Sequence, residues 1–439
     1  KVVQSEASSK GDQIETNELR IQLVAPRRAI VSFGNNNYTI ITSNIKKLWE
    51  ETRKVLTPYF QGEPEIIPTT NEKYRESSRL KSIELEFGEN ISSVLVASVF
   101  DKVDSKLASD IRAIKKIVIP TANKGVIYVV GAEDKVYEVK LNNYEENKQL
   151  NTYVDSLQER NQVKYYPLFA DVDNYTLMPL SYQKPTPLVF VESEINIENE
   201  AIVMDRVKSF FNENLDFVKT INETSGAVIF MYGYGEKGVR INNIGRIEYT
   251  QEIGADFSSN VVAALDVAIN FVENHGGFPE GTYLQEIKHE DKKGYYFGFG
   301  YRIEELPVLF NNPNIGHPIE IEIYGNKVKS YHSFIRKNMM LPDVIANSYT
   351  ELPQKIIEDN ILMLMEDYLL DTKGNQQLVD KELLSFIEKN ISEIELVYYD
   401  TMEDTRRQLL IPTWKIKINK RVYYFNSYDG ELLHSSLVK

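Results

Sequence analysis

The sequence predicts an α+β fold in three domains: an N-terminal mixed α/β domain, then two similar domains that each combine a helix with an antiparallel sheet. The length of 439 residues corresponds to roughly three domains of about 150 residues each. Short stretches of alternating apolar and polar residues, bounded by turn residues, outnumber the helical patterns. A helix followed by strands and a hairpin also occurs twice, about 120 residues apart, with negligible sequence identity between the copies.

The chain divides into four segments on this pattern. Residues 150–184 show no sustained period, and Pro185 and Pro187 follow them, so we place a boundary there. The first residues are polar and patternless, and Lys1 in place of a starting Met suggests that a signal peptide or anchor precedes them. The predicted segments are a juxtamembrane tether (1–17), an N-terminal α+β domain (18–184), a middle α+β domain (185–336) and a C-terminal α+β domain similar to the middle one (337–439).

The N-terminal domain is expected to begin with a hairpin. Arg28–Phe33 and Tyr38–Thr42 flank Gly34-Asn35-Asn36-Asn37, a composition typical of a hairpin turn. A helix is expected from Ile45 and should stop at Pro58. The further strands predicted in this domain are Ser82–Phe87, Lys115–Pro120 and Gly125–Val130, the last two joined by a turn at residues 122–124.

The later domains are each expected to contain one copy of the helix-and-strands repeat. The elements before the first copy are a strand, a helix and three antiparallel strands: Leu188–Glu192, Glu198–Asn212, Phe217–Ile221, Ala227–Tyr232 and Val239–Tyr249. The first copy is a helix capped at His275-Gly276-Gly277 and three strands: Val261–Asn274, Tyr283–His289, Tyr295–Ile303 and Ile319–Tyr331. A helical region broken at Pro353 precedes the second copy, whose helix has Asp380 as N-cap: Asp343–Leu370, then Lys381–Asn390, Ile394–Tyr399, Gln408–Ile418 and Val422–Leu433.

The composition excludes several classes of protein. A net charge of −14 without a basic stripe argues against nucleic acid as a partner. The chain has no cysteine, which excludes thiol nucleophiles, disulfides, iron–sulfur clusters and cysteine-ligated zinc. It also contains no apolar run of about 18 residues, the length that a membrane-spanning helix requires.

One motif has the spacing of a nucleotide-binding loop. Residues 233–238, Gly-Tyr-Gly-Glu-Lys-Gly, satisfy G-x-G-x-x-G and follow a predicted strand. A dinucleotide site needs a helix directly after these glycines, whereas Val239–Asn243 alternates like a strand. We therefore interpret the motif as a Gly-rich hairpin turn.

No pattern in the sequence indicates an active site. The five histidines show neither H-x-x-x-H nor H-E-x-x-H spacing, and G-x-S-x-G is absent. Four glutamates alternate with apolar residues, which favours a solvated sheet face over a catalytic pair: Glu84, Glu86, Glu320 and Glu322. We expect a protein that is not an enzyme, with no catalytic residues, cofactor or metal ion. Two alternatives stay open: a module that binds a cell-wall polymer through exposed Tyr and Trp, and a hydrolase with paired carboxylates.

Several segments in order along the chain carry a resemblance to a known family. The most distinctive is Asn274-His275-Gly276-Gly277-Phe278, with Leu306-Pro307-Val308 about thirty residues later. The other segments are Pro26–Val31, the helix with Leu48-Trp49, Glu84–Phe87, Ser92–Phe100, Pro412-Thr413-Trp414, Tyr424-Phe425-Asn426 and Gly430-Glu431. In these segments the chain resembles the YycH regulators and the related YycI proteins. It departs from their usual pattern at Phe278, where a tryptophan is common.

The resemblance implies a regulatory protein without catalytic residues. Such proteins accompany the essential WalK/WalR (YycG/YycF) two-component system, which governs cell-wall homeostasis in Gram-positive bacteria. A single membrane-spanning helix upstream of Lys1 would anchor the chain in the cell membrane, with the chain itself on the extracellular side. The implied partners are a sensor histidine kinase and a YycI-like protein, and no motif marks the residues that contact them.

Overall fold

The structure, a computed structural model, describes residues 15–42, 45–121, 125–142, 144, 148–159, 162–168, 176–182, 186–212, 215–254, 260–290, 294–339, 349–372, 380–403 and 406–438. Within these ranges it contains three β-sheets and eleven α-helices, which confirms the predicted α+β class. The division into three domains stays a prediction. Most of the predicted tether, the turn at 122–124, Pro185 and residues 343–348 lie outside the described residues.

The first sheet is antiparallel and comes from the N-terminal part of the chain. Its nine strands are β1 (Arg28–Gly34), β2 (Asn37–Ile41), β3 (Glu65–Thr69), β4 (Ser82–Glu86), β5 (Lys116–Pro120), β6 (Val126–Val130), β7 (Val136–Lys140), β8 (Tyr165–Pro167) and β9 (Leu177–Pro179). They lie in the order β3-β7-β6-β5-β4-β1-β2-β8-β9. The predicted hairpin is confirmed as β1 and β2, with Ile30 opposite Ile40. Asn35 and Asn36 form its turn at φ 53° and 57°, a conformation that Asn tolerates well.

Six helices accompany this sheet: α1 (15–23), α2 (Ile45–Gln61), α3 (Asn71–Arg79), α4 (Ser93–Ser98), α5 (Lys106–Asp110) and α6 (Lys148–Glu159). Because α2 continues through Pro58 to Gln61, the predicted stop at Pro58 is wrong. Tyr59 and Phe60 follow the proline and are fully buried. Their packing outweighs the hydrogen bond that Pro58 cannot donate.

Residues 189–338 contribute strands to two different sheets. These strands are β10 (Val189–Ser193), β11 (Val218–Asn222), β12 (Val228–Tyr232), β13 (Lys237–Ile241), β14 (Ile247–Gln251), β15 (Tyr283–Glu290), β16 (Gly294–Gly300), β17 (Arg302–Ile303), β18 (Leu306–Phe310), β19 (Ile319–Tyr324), β20 (Lys327–Ser333) and β21 (Arg336–Asn338). The helices among them are α7 (Glu200–Phe210) and α8 (Val261–Asn274), and α8 has the predicted bounds.

The second sheet has the order β11-β12-β13-β14-β20-β19-β16-β15. Helix α8 packs against β16, β19 and β20 through an apolar face that includes Leu265 and Ile269. The strand predicted over Val239–Tyr249 is in fact two strands, β13 and β14. The chain turns between them because the Asn242 side chain accepts a hydrogen bond from the Arg246 backbone N–H at 2.9 Å.

The third sheet combines strands from both sides of residue 336. Its later strands are β22 (Ile391–Asp400), β23 (Arg407–Ile418), β24 (Arg421–Asn426) and β25 (Leu432–Leu437), and its helices are α9 (Pro353–Asp359), α10 (Ile361–Thr372) and α11 (Asp380–Lys389). The order is β17-β18-β22-β23-β10-β21, with β24 and β25 continuing from β23. Strand β18 runs parallel to β22, whereas β10 is antiparallel to β23. Helix α9 begins at Pro353. The first backbone N–H groups of a helix have no acceptor within the helix, so a proline at this position costs no hydrogen bond.

Buried apolar side chains from all three sheets form one continuous cluster that extends from Leu23 to Phe425. The three sheets therefore share packing contacts instead of standing apart as separate cores. None of the helices in the described ranges has both the length and the apolar character that a membrane crossing requires.

Candidate functional site

A cavity of about 1300 Å³ lies between the N-terminal helices and the later part of the chain. One wall consists of α1 and α2, and the other consists of the loop after α8, the β17–β18 hairpin and residues 335–338. Gly276–Phe278, from the segment most characteristic of the YycH resemblance, lies in this wall. We call this cavity the central cleft. Clefts where parts of a chain meet are frequent binding sites.

Two contacts join the N-terminal part to helix α8 and to the second sheet. The Arg20 guanidinium on α1 lies 2.5 Å from an Asp266 carboxylate oxygen on α8. The Glu89 backbone N–H donates to the Gln285 carbonyl on β15 at 2.6 Å. Gly88 makes this approach possible, because a Cβ there would lie 2.4 Å from the same carbonyl oxygen.

The loop after α8 depends on two glycines. Gly277 donates its backbone N–H to the Val272 carbonyl at 2.9 Å, which confirms the predicted glycine cap. Gly276 has φ 130°, and a Cβ on it would lie 2.1 Å from the Arg206 guanidinium. Arg206 in turn donates to the His275 carbonyl at 2.8 Å. The glycines therefore let an arginine close the end of the helix.

Aromatic side chains hold this loop on the protein. The His275 ring packs against both Phe271 and Phe210, with centroid distances of 4.0 and 4.3 Å. Burial lowers the pKa of His275, so the ring is neutral near pH 7. Phe278 packs edge-on against Phe299 at 5.0 Å. These contacts give His275 and Phe278 a packing role at the edge of the central cleft.

The β17–β18 hairpin presents an unusual turn on the rim of the central cleft. Ile303 lies opposite Leu306, so Glu304 and Glu305 alone form the turn. Their φ angles are 46° and 77°, and both side chains are exposed. A two-residue turn of this kind favours Asn-Gly, because both positions need positive φ. Each glutamate therefore stores strain of about 1 kcal/mol.

Three of the four aromatic side chains in the wall of the central cleft are buried, and the fourth, Phe278, is half-buried. Trp49 is 2% exposed, Tyr283 4% and Tyr301 2%. The Trp49 indole N–H donates to the Ile21 carbonyl at 3.3 Å, which ties α2 to α1. These rings support the wall and do not form an exposed platform on which a sugar could stack.

Glu84 and Glu86 are buried, at 2% and 6% exposure, so the predicted solvated face is wrong for both. The Lys116 ammonium lies 2.9 Å from Glu84 and 2.6 Å from Glu86, and Arg28 also pairs with Glu86. The Tyr74 hydroxyl donates to Glu84 at 2.8 Å. Burial alone would raise the pKa of Glu86, but Arg28 and Lys116 hold it well below its usual range. Cations on neighbouring strands thus take the place of water.

A second charged contact joins the first and third sheets. Arg27, just before β1, lies 3.3 Å from Glu395 on β22. Lys415 on β23 pairs with Glu393 at 3.1 Å beside it. Burial alone would raise the pKa of Glu395, but the charges of Arg27 and Lys415 lower it to about 2. Glu395 is therefore held ionised by cations, as Glu86 is, unlike the acid–base pair that hydrolysis of a glycoside requires.

The second sheet carries a polar cluster around Glu320. The Tyr296 hydroxyl lies 2.9 Å from Glu320 and 2.8 Å from His317 Nδ1, and His332 Nδ1 lies 3.4 Å from Glu320. The Glu320 side chain is 14% exposed and the Glu322 side chain 28%, so both are half-buried and the predicted solvated face holds only in part. Burial lowers the pKa of His317. Within the described residues, no three His, Asp or Glu side chains are grouped to hold a metal ion.

The G-x-G-x-x-G motif is the predicted hairpin turn. Tyr232 on β12 lies opposite Lys237 on β13, and residues 233–236 connect the two strands. Gly233 and Gly235 have φ 60° and 104°, conformations that favour glycine. Tyr234 between them is fully exposed. A strand follows these glycines, where a dinucleotide site has a helix.

The chain has the fold of YycH from Bacillus subtilis. The two structures superpose with a TM-score of 0.55 and 14% sequence identity, over 92% of this chain and 96% of that chain. The YycH likeness expected from the sequence is therefore confirmed at the level of the fold. A protein from Eubacterium rectale (TM-score 0.37, 13% identity, 61% of this chain, 92% of that chain) and the YpeB C-terminal domain from Bacillus megaterium (0.25, 11%, 55%, 98%) are more distant. No family model and no curated protein sequence matches the chain.

Proposed function

We propose that this chain is an extracytoplasmic regulator of the YycH family that binds a sensor histidine kinase and changes its activity. The observation that supports this proposal most strongly is the fold shared with YycH over 92% of this chain. The sequence segments that resemble YycH regulators agree with it, because the most distinctive of them shapes the wall of the central cleft.

The finer features of the proposal follow from the family resemblance. A membrane-spanning helix upstream of Lys1 would hold the chain on the extracellular side of the cell membrane. The sensor kinase of a WalK/WalR system and a YycI-like protein are the proposed partners. A regulator that binds one kinase conformation more tightly than another shifts the equilibrium between them by the difference in affinity.

The two alternative functions have less support. A cleft that binds cell-wall polymers would present aromatic rings to solvent, whereas Trp49, Tyr283 and Tyr301 are buried in the wall of the central cleft. A hydrolase would need a carboxylate pair whose environments separate their pKa values. Glu86 and Glu395 are instead both lowered in pKa by neighbouring cations.

The experiment that tests the proposal is affinity capture of the tagged full-length protein, with its native upstream sequence, from its own cells in a mild detergent. We expect a sensor histidine kinase and a smaller YycI-like protein to be recovered. A second form of the protein, exported with a cleavable signal peptide, tests whether an anchor is needed for this association.

The captured kinase gives a functional readout. Phosphorylation of its response regulator should change when the gene is deleted and return when the gene is restored. If other membrane complexes survive the detergent but neither partner is recovered and phosphorylation is unchanged, the regulatory proposal is wrong. The polymer-binding alternative would then be tested with purified wall material.

A further inference from the structure

Arg302 is a cation in the wall of the central cleft without a carboxylate in contact. Its guanidinium lies 4.1 Å from the centre of the Tyr283 ring. It donates to the Gly281 carbonyl at 3.3 Å and to the Arg27 carbonyl. Its buried Nε has no hydrogen-bond acceptor, and no carboxylate lies within 4.0 Å among the described residues.

Arg53, which lies in the wall formed by α2, repeats this pattern. Its Nη2 donates to the Val99 carbonyl at 2.8 Å, and its guanidinium lies 5.9 Å from the centre of the Phe100 ring. Its Nε is also buried without an acceptor, and no carboxylate of the described residues is within 4.0 Å of the guanidinium. The central cleft therefore holds two cations with the same unfilled hydrogen-bonding capacity.

The unpaired state of these two arginines is unusual within this fold. Arg336, which is fully buried, has Asp400 at 2.7 Å, and Arg20 has Asp266 at 2.5 Å. Burial lowers the pKa of both Arg302 and Arg53, since removal from water outweighs the more distant carboxylates. Arginine nevertheless stays charged at neutral pH. A partly buried cation without a counterion is unfavourable, and a carboxylate that enters the cleft would reduce this cost.

The surroundings of the two arginines restrict the nature of the ligand. Six glutamates lie along the same cavity: Glu18, Glu50, Glu194, Glu280, Glu304 and Glu305. Together with the net charge of −14, they disfavour a polyanion such as a phosphate polymer. They favour a molecule with one or two carboxylates among neutral and basic groups. The volume of about 1300 Å³ exceeds the range of about 300–1000 Å³ typical of small-molecule sites.

We propose that the central cleft binds a peptide segment of a protein partner, and that Arg53 and Arg302 each attract a carboxylate of that segment. The fork of N–H donors on arginine matches a carboxylate in geometry as well as in charge. The peptide flanks would lie near the glutamates on the rim and supply neutral or basic side chains to them. This proposal does not rest on the proposed binding of a sensor kinase, because the arguments for that function do not use Arg53 or Arg302.

The test uses the whole chain and two arrays of synthetic heptapeptides. One array has Asp or Glu fixed at the centre, the other has Asn or Gln there, and both have neutral and basic flanks. We expect the acidic array to retain the protein at least about tenfold more strongly. The Arg53→Gln and Arg302→Gln variants should each lose part of this difference, and the double variant should lose all of it. Arg302→Lys, which keeps the charge, should lose less than Arg302→Gln.

Arg112→Gln is the matched control, because Arg112 is exposed and lies outside the central cleft. It should retain the full difference between the two arrays. Equal retention on the two arrays, or a difference that survives loss of both arginines, would overturn the proposal. Stronger competition by poly(glycerol phosphate) than by the acidic peptides would also overturn it, in favour of a polymer. Thermal unfolding of each variant confirms that it is folded.

Discussion

Arg27 and Glu395 are separated by 368 residues in sequence, yet their side chains approach to 3.3 Å. Arg27 leads into β1 of the first sheet, and Glu395 lies on β22 of the third sheet. The Arg27 backbone carbonyl also accepts a hydrogen bond from Arg302, at the base of the hairpin on the rim of the central cleft. Arg27 therefore contacts both the third sheet and the hairpin on the rim of the central cleft.

Glu395→Gln should destabilise the protein by about 3 kcal/mol, because it leaves Arg27 without its counterion in a largely buried position. The free energy of the first unfolding transition in urea measures this change. The matched control is Glu198→Gln, which removes an exposed ion pair with Arg406. The control should cost less than about 1 kcal/mol. Equal losses in the two variants would show that Arg27–Glu395 contributes no more than a surface pair.

Glu395 should also account for part of the stability that the protein loses at low pH. The pKa of Glu395 is lowered from 4.5 to about 2 in the folded protein, so the folded state binds fewer protons than the unfolded state between these values. Its contribution to stability is complete above pH 4.5 and is lost as the pH falls towards 2. Wild type should thus lose about 2 kcal/mol more than Glu395→Gln across this window. Parallel unfolding curves against pH would contradict this assignment.

Local patterns in the sequence predict the elements whose packing is local. Helix α8 has the bounds expected from its apolar face, from Val261 to Asn274, and from the glycines that cap it. The burial of Glu84 and Glu86 was missed because their cations, Arg28 and Lys116, lie on other strands. Alternation with apolar residues looks the same whether the polar face meets water or cations.

Local sequence patterns could not predict how the third sheet and the central cleft are assembled, because both combine segments that lie far apart in the sequence. Strand β10 pairs with β23 more than two hundred residues later, with Val191 opposite Gln408. Of the wall of the central cleft, the sequence singled out the segment from Asn274 to Phe278, together with Pro26 and Trp49. Arg53 and Arg302 sit in no motif, and only their burial without carboxylates identifies them.

Gly88→Ala should loosen the contact between the N-terminal part and the second sheet. The added Cβ would lie 2.4 Å from the Gln285 carbonyl oxygen, and backbone atoms cannot move away cheaply. We expect a loss of about 2 kcal/mol in the free energy of unfolding. Hydrogen exchange at the Ile287 amide, which donates to the Glu89 carbonyl, should also become faster.

Gly254→Ala is the matched control for this substitution, because nothing lies within 4 Å of the Cβ it would add. It should leave both the unfolding transition and exchange at Ile287 unchanged. If Gly88→Ala behaves like this control, the close approach at Glu89 does not hold the N-terminal part against the second sheet.

The turn at Glu304 and Glu305 offers a test of whether strain on the rim serves binding. Glu304→Asn combined with Glu305→Gly should stabilise the protein by about 1 kcal/mol, because both residues have positive φ. Asn36→Gly in the β1–β2 turn is the control, and its gain should be smaller because Asn already tolerates its φ of 57°. Urea unfolding measures both gains.

If the glutamates are kept for their charge on the rim, the double variant should be more stable and yet retain fewer peptides with basic flanks. A double variant that is no more stable than wild type would show that the turn holds no strain to release.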